Sequence, residues 1–187
     1  MTETTVTSAR LPQAVQRFVL HWGDMGGQWG VNRSVSQIHA FLYLSEKPLT
    51  AEDIAETLGL ARSNVSNSIK ELQSWGLVRR VPVMGDRRDF FEAETDVWTI
   101  AAKIAAGRKE REIDPALAAL SACVEAAHED KTVHPIALSR LKDMLIFTQT
   151  TANWYDQMMK IPRPKLMMLM RLGSRIVNIL PGKKDKP

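Results

Sequence analysis

Cysteine is almost absent: Cys123 is the single one in 187 residues. An intramolecular disulfide framework is thereby excluded, and a reducing compartment suits the chain. Cys123 sits in an Ala-rich, helix-favouring run, where a small buried hydrophobe is expected. Long apolar runs are also missing, so no segment of bilayer-spanning length is present. Met1 to Arg10 is Thr-rich and polar rather than basic and then apolar, unlike a secretory signal. A cytoplasmic location is therefore expected, with no membrane insertion. The four histidines, His21, His39, His128 and His134, follow no metal-ligand spacing, and no cysteine cluster could hold zinc. Gly-rich phosphate loops and nucleophile elbows are lacking as well. Asp86 and Asp89 are flanked by arginines on an exposed turn, which argues against an acid/base pair. No enzyme, metal or cofactor is expected.

Charge of one sign is scarce where a nucleic-acid partner would want it. The chain has a formal net charge of +4 and a pI near 9.3, which permits such binding without establishing it. Counted to Asp96, however, it carries 10 Lys+Arg against 12 Asp+Glu; the remainder carries 15 against 9. A case for DNA must therefore rest on where individual arginines stand, since one face alone meets the phosphates.

What is present is concentrated between Leu49 and Glu94. Thr50 followed by Asp53 is a capping-box start, Ile54 and Leu58 lie one turn apart, and Gly59 suits a left-handed helix end. A second helix is marked by Val65, Ile69 and Leu72 at i, i+4 and i+7, and it stops at Gly76 after Trp75, a residue expected to pack the helix end. Two helices around a short glycine turn form a helix-turn-helix, whose second helix enters a major groove. With the apolar stripe inward, Arg62, Ser63, Asn64, Ser66, Asn67 and Lys70 fall on or near the solvent side. Small hydroxyl and amide groups there can reach base edges and phosphates, whereas an ordinary solvated helix would favour Glu/Lys pairs. Leu77, Val78, Val81 and Val83, the Gly85-Asp86 turn and Phe90-Phe91 then predict a hairpin. Arg79, Arg80, Arg87 and Arg88 bracket it, which suits phosphate contact and minor-groove insertion. Helix-turn-helix plus basic hairpin is a winged helix.

The stretch WGVNRSVSQIHAFLYLSEKPLTAEDIAETLGLARSNVSNSIKELQSWGLVRRVPVMGDRRDFFEAETDVW, Trp29 to Trp98, resembles the MarR superfamily of transcriptional regulators, and within it the GbsR-like branch. Asp86-Arg87-Arg88 is its most MarR-like triplet. The resemblance implies that Asp86 braces Arg88, whose guanidinium enters the minor groove. One departure stands out: Ala61 occupies a position where the family usually has a capping Ser or Thr, and alanine is a poor N-cap. Either the helix starts later, at Ser63, or its first turn is less stable. GbsR-like regulators are associated with osmoprotectant uptake and synthesis, and some sense quaternary ammonium solutes, which aromatic cages hold by cation–π attraction. Trp98, Trp154 and Tyr155 are the candidate cage; core or interface packing is the plainer reading of the same rings.

The expected fold class is mainly α with a small β-wing: a winged helix-turn-helix domain plus a helical dimerisation region. Residues 1–8 form a tail expected to be disordered, and 9–96 the DNA-binding domain. Its first helix runs from Ala9 through Val15, Phe18, Val19 and Trp22, breaking near Gly26-Gly27. A Trp29-Gly30 linker and a core helix over about Asn32–Ser45 follow, with Pro48 after its end. Residues 97–180 form the helical dimerisation and effector region. They comprise a helix from Thr95 to Arg111, an Ala-rich helix starting at Asp114-Pro115, and a long helix over about Pro135–Lys160. There Leu138, Leu141, Leu145, Thr148, Ala152, Tyr155 and Met159 repeat at three and four, either as a coiled-coil seam or as an ordinary core face. From Lys160 the chain is basic, with the apolar helix LMMLMRLGSRIVNIL, and 181–187 are expected to be disordered.

The expected function is sequence-specific binding of double-stranded DNA as a homodimer that regulates transcription and responds to a small-molecule effector. A two-fold dimer matches a palindromic site, and one winged helix reads too few base pairs. The alternative is a protein-interaction or membrane-surface adaptor working through the basic C-terminal helix.

Overall fold

Thr50 organises the centre of the winged helix. It is fully buried, and its hydroxyl and backbone N–H both bond the Asp53 carboxylate while Asp53 N–H bonds back to Thr50 Oγ1. This capping box starts α3 (Ala51–Leu58), and Gly59, at φ 64°, ends it in the left-handed conformation. In the computed structural model, residues 11–173 are described. They fall into two compact units that divide between Gly107 and Arg108. The expectations for 1–8, for 181–187 and for the apolar helix beyond Gly173 lie outside the described residues.

The first unit holds α1 (Gln13–Gln28), α2 (Arg33–Leu44), β1 (Leu49–Thr50), α3, α4 (Arg62–Ser74), β2 (Val78–Val81), β3 (Phe90–Ala93) and α5 (Val97–Arg108, ending at the unit boundary). The strands form an antiparallel sheet in the order β1-β3-β2, with Arg80 opposite Phe91 and Thr50 opposite Phe90. Ile38, Ile54, Val65, Leu72 and Leu77 are its most buried aliphatics, each worth about 1.5–3 kcal/mol of burial. The recognition helix α4 therefore stands on Val65, Ile69 and Leu72, as its spacing predicts.

Several expectations are corrected. β1 is a two-residue strand that the capping signal masked. The helix does not break at Gly26-Gly27, because α1 continues to Gln28. Gly23 and Gly26 are points of close approach to α2: a Cβ on Gly26 would collide with Ser36, and one on Gly23 with Gln37. Cys123 is exposed rather than buried. The unit boundary falls after 107 instead of 96, since Ile100 and Ile104 of α5 join the winged-helix core. Lys103 Nζ adds a 2.6 Å bond to Gly76 O at the end of α4.

The second unit holds a π-helical turn (Lys109–Ile113), α6 (Asp114–Glu129), α7 (Pro135–Lys160) and α8 (Arg163–Leu172). Pro115 has no N–H to continue the α ladder. In α7, which packs on α6, Leu138, Leu141, Leu145, Thr148 and Tyr155 are half-buried and Ala152 is buried, so this face packs within its own unit. Met159 is left exposed. Met144, Phe147 and Trp154, one position back around the helix, are exposed too, at 59%, 72% and 59%.

Candidate nucleic-acid interface

α4 begins at Arg62 with Ala61 as an N-cap that makes no side-chain bond, so the helix starts early with an unsatisfied first turn. This sets the register of its outer face. Arg62, Ser66, Lys70 and Gln73 line one wall of a cleft of about 450 Å³, with Ile69 at its base. Ala51 and Glu52 of α3 lie at one end, and Arg80, Arg88, Asp89 and Phe91 of the wing form the other wall. A helix and a basic β-ribbon thus flank an open groove, with cations on both sides.

The structure does not treat the predicted residues alike. Arg62, Ser66, Lys70, Arg80 and Arg88 come together in the cleft. Ser63 and Asn67 are exposed on α4 but do not line it. Asn64 is the correction: its Nδ2 donates to Ser34 Oγ of α2 at 2.9 Å, and its Oδ1 accepts from Ser68. The half-buried amide ties the recognition helix to α2 instead of pointing outward. Arg79 lies across the sheet from Glu92 and pairs with it, outside the cleft. Arg87 is exposed at the wing tip. Gln73, Glu52 and Asp89 are polar cleft residues that sequence reasoning missed; the spacing 66, 70, 73 marks Gln73 as the next residue on the Ser66–Lys70 stripe, whereas no local signal places the two acids there.

The wing is held by Asp86. Its carboxylate accepts from the Arg88 backbone N–H at 2.9 Å and bidentately from the guanidinium, the shortest bond being 2.6 Å. These bonds, the side-chain ones first, lower the Asp86 pKa to about 2. Arg88 also lies over the Phe90 ring, 5.4 Å from its centroid. Carboxylate and ring together fix an otherwise flexible side chain before any ligand arrives.

Away from the cleft, α1, α2 and the start of α5 enclose an almost wholly apolar pocket of about 230 Å³. Phe18 and Trp22, stacked at 5.4 Å, line it with His39, Ala40, Tyr43, Val97 and Ile100. The Nε2 atom of His39 is buried without a hydrogen-bond partner, and burial lowers the imidazole pKa to about 4. None of Trp98, Trp154 and Tyr155 lines this pocket. Trp98 lies in the first unit and the other two in the second, where Trp154 is exposed while the Tyr155 hydroxyl is shut in without a partner. Among the described residues no cluster of metal-ligating side chains occurs, and no helix is long and apolar enough to cross a membrane.

A helix-turn-helix followed by a basic β-hairpin, its recognition helix and wing flanking one groove, defines the winged helix-turn-helix class. Residues 29–89 match the family model described as MarR family. Among curated proteins, the chain is similar to YvaV of Bacillus subtilis (strain 168), named a putative HTH-type transcriptional regulator. The two are 23% identical over 88 residues, 47% of this chain and 50% of that protein. The chain is also similar to the HTH-type transcriptional repressor GbsR of the same strain, 26% identical over 85 residues, 46% of this chain and 47% of the relative. It thus spans about half the length of these relatives. A solved structure described as a transcriptional regulator superimposes with a TM-score of 0.61 at 17% identity, over 78% of this chain and 95% of that one; this likeness concerns the fold. Both relatives are named as regulators of transcription.

Proposed function

We propose that the protein is a sequence-specific DNA-binding transcriptional regulator of the GbsR-like branch, acting as a homodimer. The observation that carries this reading is the cleft itself. Ser66, Lys70 and Gln73 on α4 face Arg80 and Arg88 on the wing, which suits a helix in the major groove beside a wing at the backbone and minor groove. Gln73 has the fork that reads adenine, and Lys70 can reach guanine or phosphate. Ser63, Asn67, Arg79 and Arg87 serve as outer backbone contacts, which position the protein without reading sequence. Asn64 braces the helix.

Dimerisation is supported by the exposed stripe of Met144, Phe147 and Trp154 on α7. Such a stripe is unusual on a lone soluble unit and fits a two-fold interface. Sedimentation should report a dimer for the native chain and a monomer for Phe147→Glu.

For the effector we assign the pocket of Phe18, Trp22, His39 and Tyr43 in place of Trp98, Trp154 and Tyr155. Three aromatic rings can face a quaternary ammonium group. His39, as its Nε2–H tautomer, can donate to a carboxylate. The reading is an osmoprotectant-type solute whose binding shifts DNA affinity through α1, α2 and α5. Titrating the native chain with glycine betaine and with choline should quench tryptophan fluorescence, and Phe18→Ala should abolish the response; no quenching at any concentration retires this ligand class.

The DNA reading is tested by footprinting on the DNA upstream of the protein's own gene, against nonspecific competitor at two salt concentrations. Protection of two symmetric half-sites about one helical turn apart is expected. Binding that is only salt-sensitive and blind to sequence on every fragment of a genomic library overturns sequence-specific regulation.

A further inference from the structure

The cleft holds carboxylates where a DNA-binding surface has no electrostatic use for them. Of the four cations that line it, three sit on acids: Arg62 on Glu52, Arg80 on Asp89 and Arg88 on Asp86. Lys70 alone has no ion pair among the described residues. Asp86 is explained by its bracing geometry. Glu52 and Asp89 are not, because each comes from a different element than its arginine and both line the cleft where phosphates would pass. Glu52 is on the first turn of α3 and Arg62 on the first turn of α4; Asp89 lies just before β3, while Arg80 is on β2. The Arg88 cation also feels Asp53 and Glu52 from α3.

Resting on the DNA-binding reading above, we propose that Glu52 and Asp89 act as internal stand-ins for phosphate. They hold Arg62 and Arg80 in the free protein and so suppress binding to DNA of arbitrary sequence.

The physical argument has two parts. Both pairs are largely exposed, with the Arg62 and Arg80 side chains 72% and 64% accessible. Exposed pairs contribute little stability, so a phosphate can displace the carboxylate. Displacement then gains little, since one anion replaces another, and the released carboxylate is left beside the DNA backbone. Sequence-independent affinity comes almost wholly from cation–phosphate contacts and is therefore cut. Base contacts from α4 are untouched by this exchange, so they carry a larger share of the total binding free energy.

The test uses the full chain and a fluorescein-labelled duplex of mixed sequence, read by anisotropy over a salt series. Glu52→Gln and Asp89→Asn should each bind this duplex about fivefold tighter at low salt. The slope of log affinity against log salt should steepen by about 0.9 for each phosphate newly engaged. The gain from Glu52→Gln should vanish when Arg62→Ala is added, and that from Asp89→Asn when Arg80→Ala is added, as in a double-mutant cycle. Wild-type-like binding by both variants overturns the inference while the native chain still binds DNA. A gain that survives loss of the arginine also overturns it, as a mere change in net charge. So does loss of the footprint with mixed-sequence binding unchanged, because carboxylates that accept from cytosine N4 would behave that way. Failure of the native chain to bind any duplex at low salt overturns the DNA-binding reading together with this one.

Discussion

The Asp86 carboxylate takes the Arg88 side chain and the Arg88 backbone N–H at once, so one acid sets both the turn and the direction of the guanidinium. Arg88→Ala is expected to remove specific DNA binding while leaving thermal stability within about 0.5 kcal/mol, as for other exposed positions. Asp86→Asn should weaken binding about tenfold by freeing the side chain it holds. Both are read by mobility shift beside a melting curve. The Asp86 pKa is lowered to about 2, so its contribution is complete above the ordinary carboxylate range and is lost only as pH falls through about 2. Binding between pH 4 and 7 should show no step from this group; one that Asp86→Asn removes would contradict the brace.

His39 gives the fold an acid sensitivity. Its pKa falls from 6.5 to about 4 because burial disfavours the imidazolium. The unfolded chain binds the proton first, so this contribution is complete above about pH 6.5 and declines as pH falls toward 4. The loss amounts to roughly 3 kcal/mol, at ~1.4 kcal/mol for each tenfold fall in proton affinity. Urea midpoints at pH 7.5 and 4.5 should differ less in His39→Leu than in the native chain. Equal differences would mean that the imidazole is hydrated in the folded protein.

Ala61 leaves the recognition helix uncapped at an extended backbone position, φ −64° and ψ 136°. Ala61→Ser should raise stability by about 0.5–1 kcal/mol and the melting temperature with it. Thr50→Ala, which opens the buried capping box of α3, should lower stability by about 1–2 kcal/mol. Chemical denaturation of both variants is the measurement; a neutral Thr50→Ala would refute the role given to that box.

Two neighbouring glycines of α1 should respond oppositely. A Cβ at Gly26 meets Ser36 of α2, whereas one at Gly27 meets nothing within 4 Å. Gly26→Ala should destabilise by about 1–3 kcal/mol through overpacking. Gly27→Ala should stabilise by about 0.5–1 kcal/mol, because alanine loses less backbone entropy in a helix. Equal effects at the two sites would show that α1 and α2 do not approach closely there.

Much of the winged helix is legible in the chain because its signals are local. Thr50 and Asp53, Gly59, the 65-69-72 spacing and Gly76 each act within a turn or two, and the structure follows them. The wing is legible for the same reason, since Gly85 and Asp86 separate two β-forming runs. The role of Asn64 is hidden because its amide partner, Ser34, lies 30 residues away. The glycines of α1 mislead because a helical glycine looks like a breaker until the neighbouring helix is in place.

The sequence by itself determined the buried stripe of the recognition helix, the capping box of α3 and the turn of the wing, which depend on residues within one helical turn or one hairpin; the Asp86–Arg88 brace was implied by the family resemblance. Tertiary structure alone decided which polar residues of that helix face the cleft, that Glu52 and Asp89 occupy its arginines, and that His39 lies unpaired beside Phe18 and Trp22. Packing turns a helix by fractions of its roughly 100° residue step and brings together charges from separate elements, and no local spacing encodes that rotation.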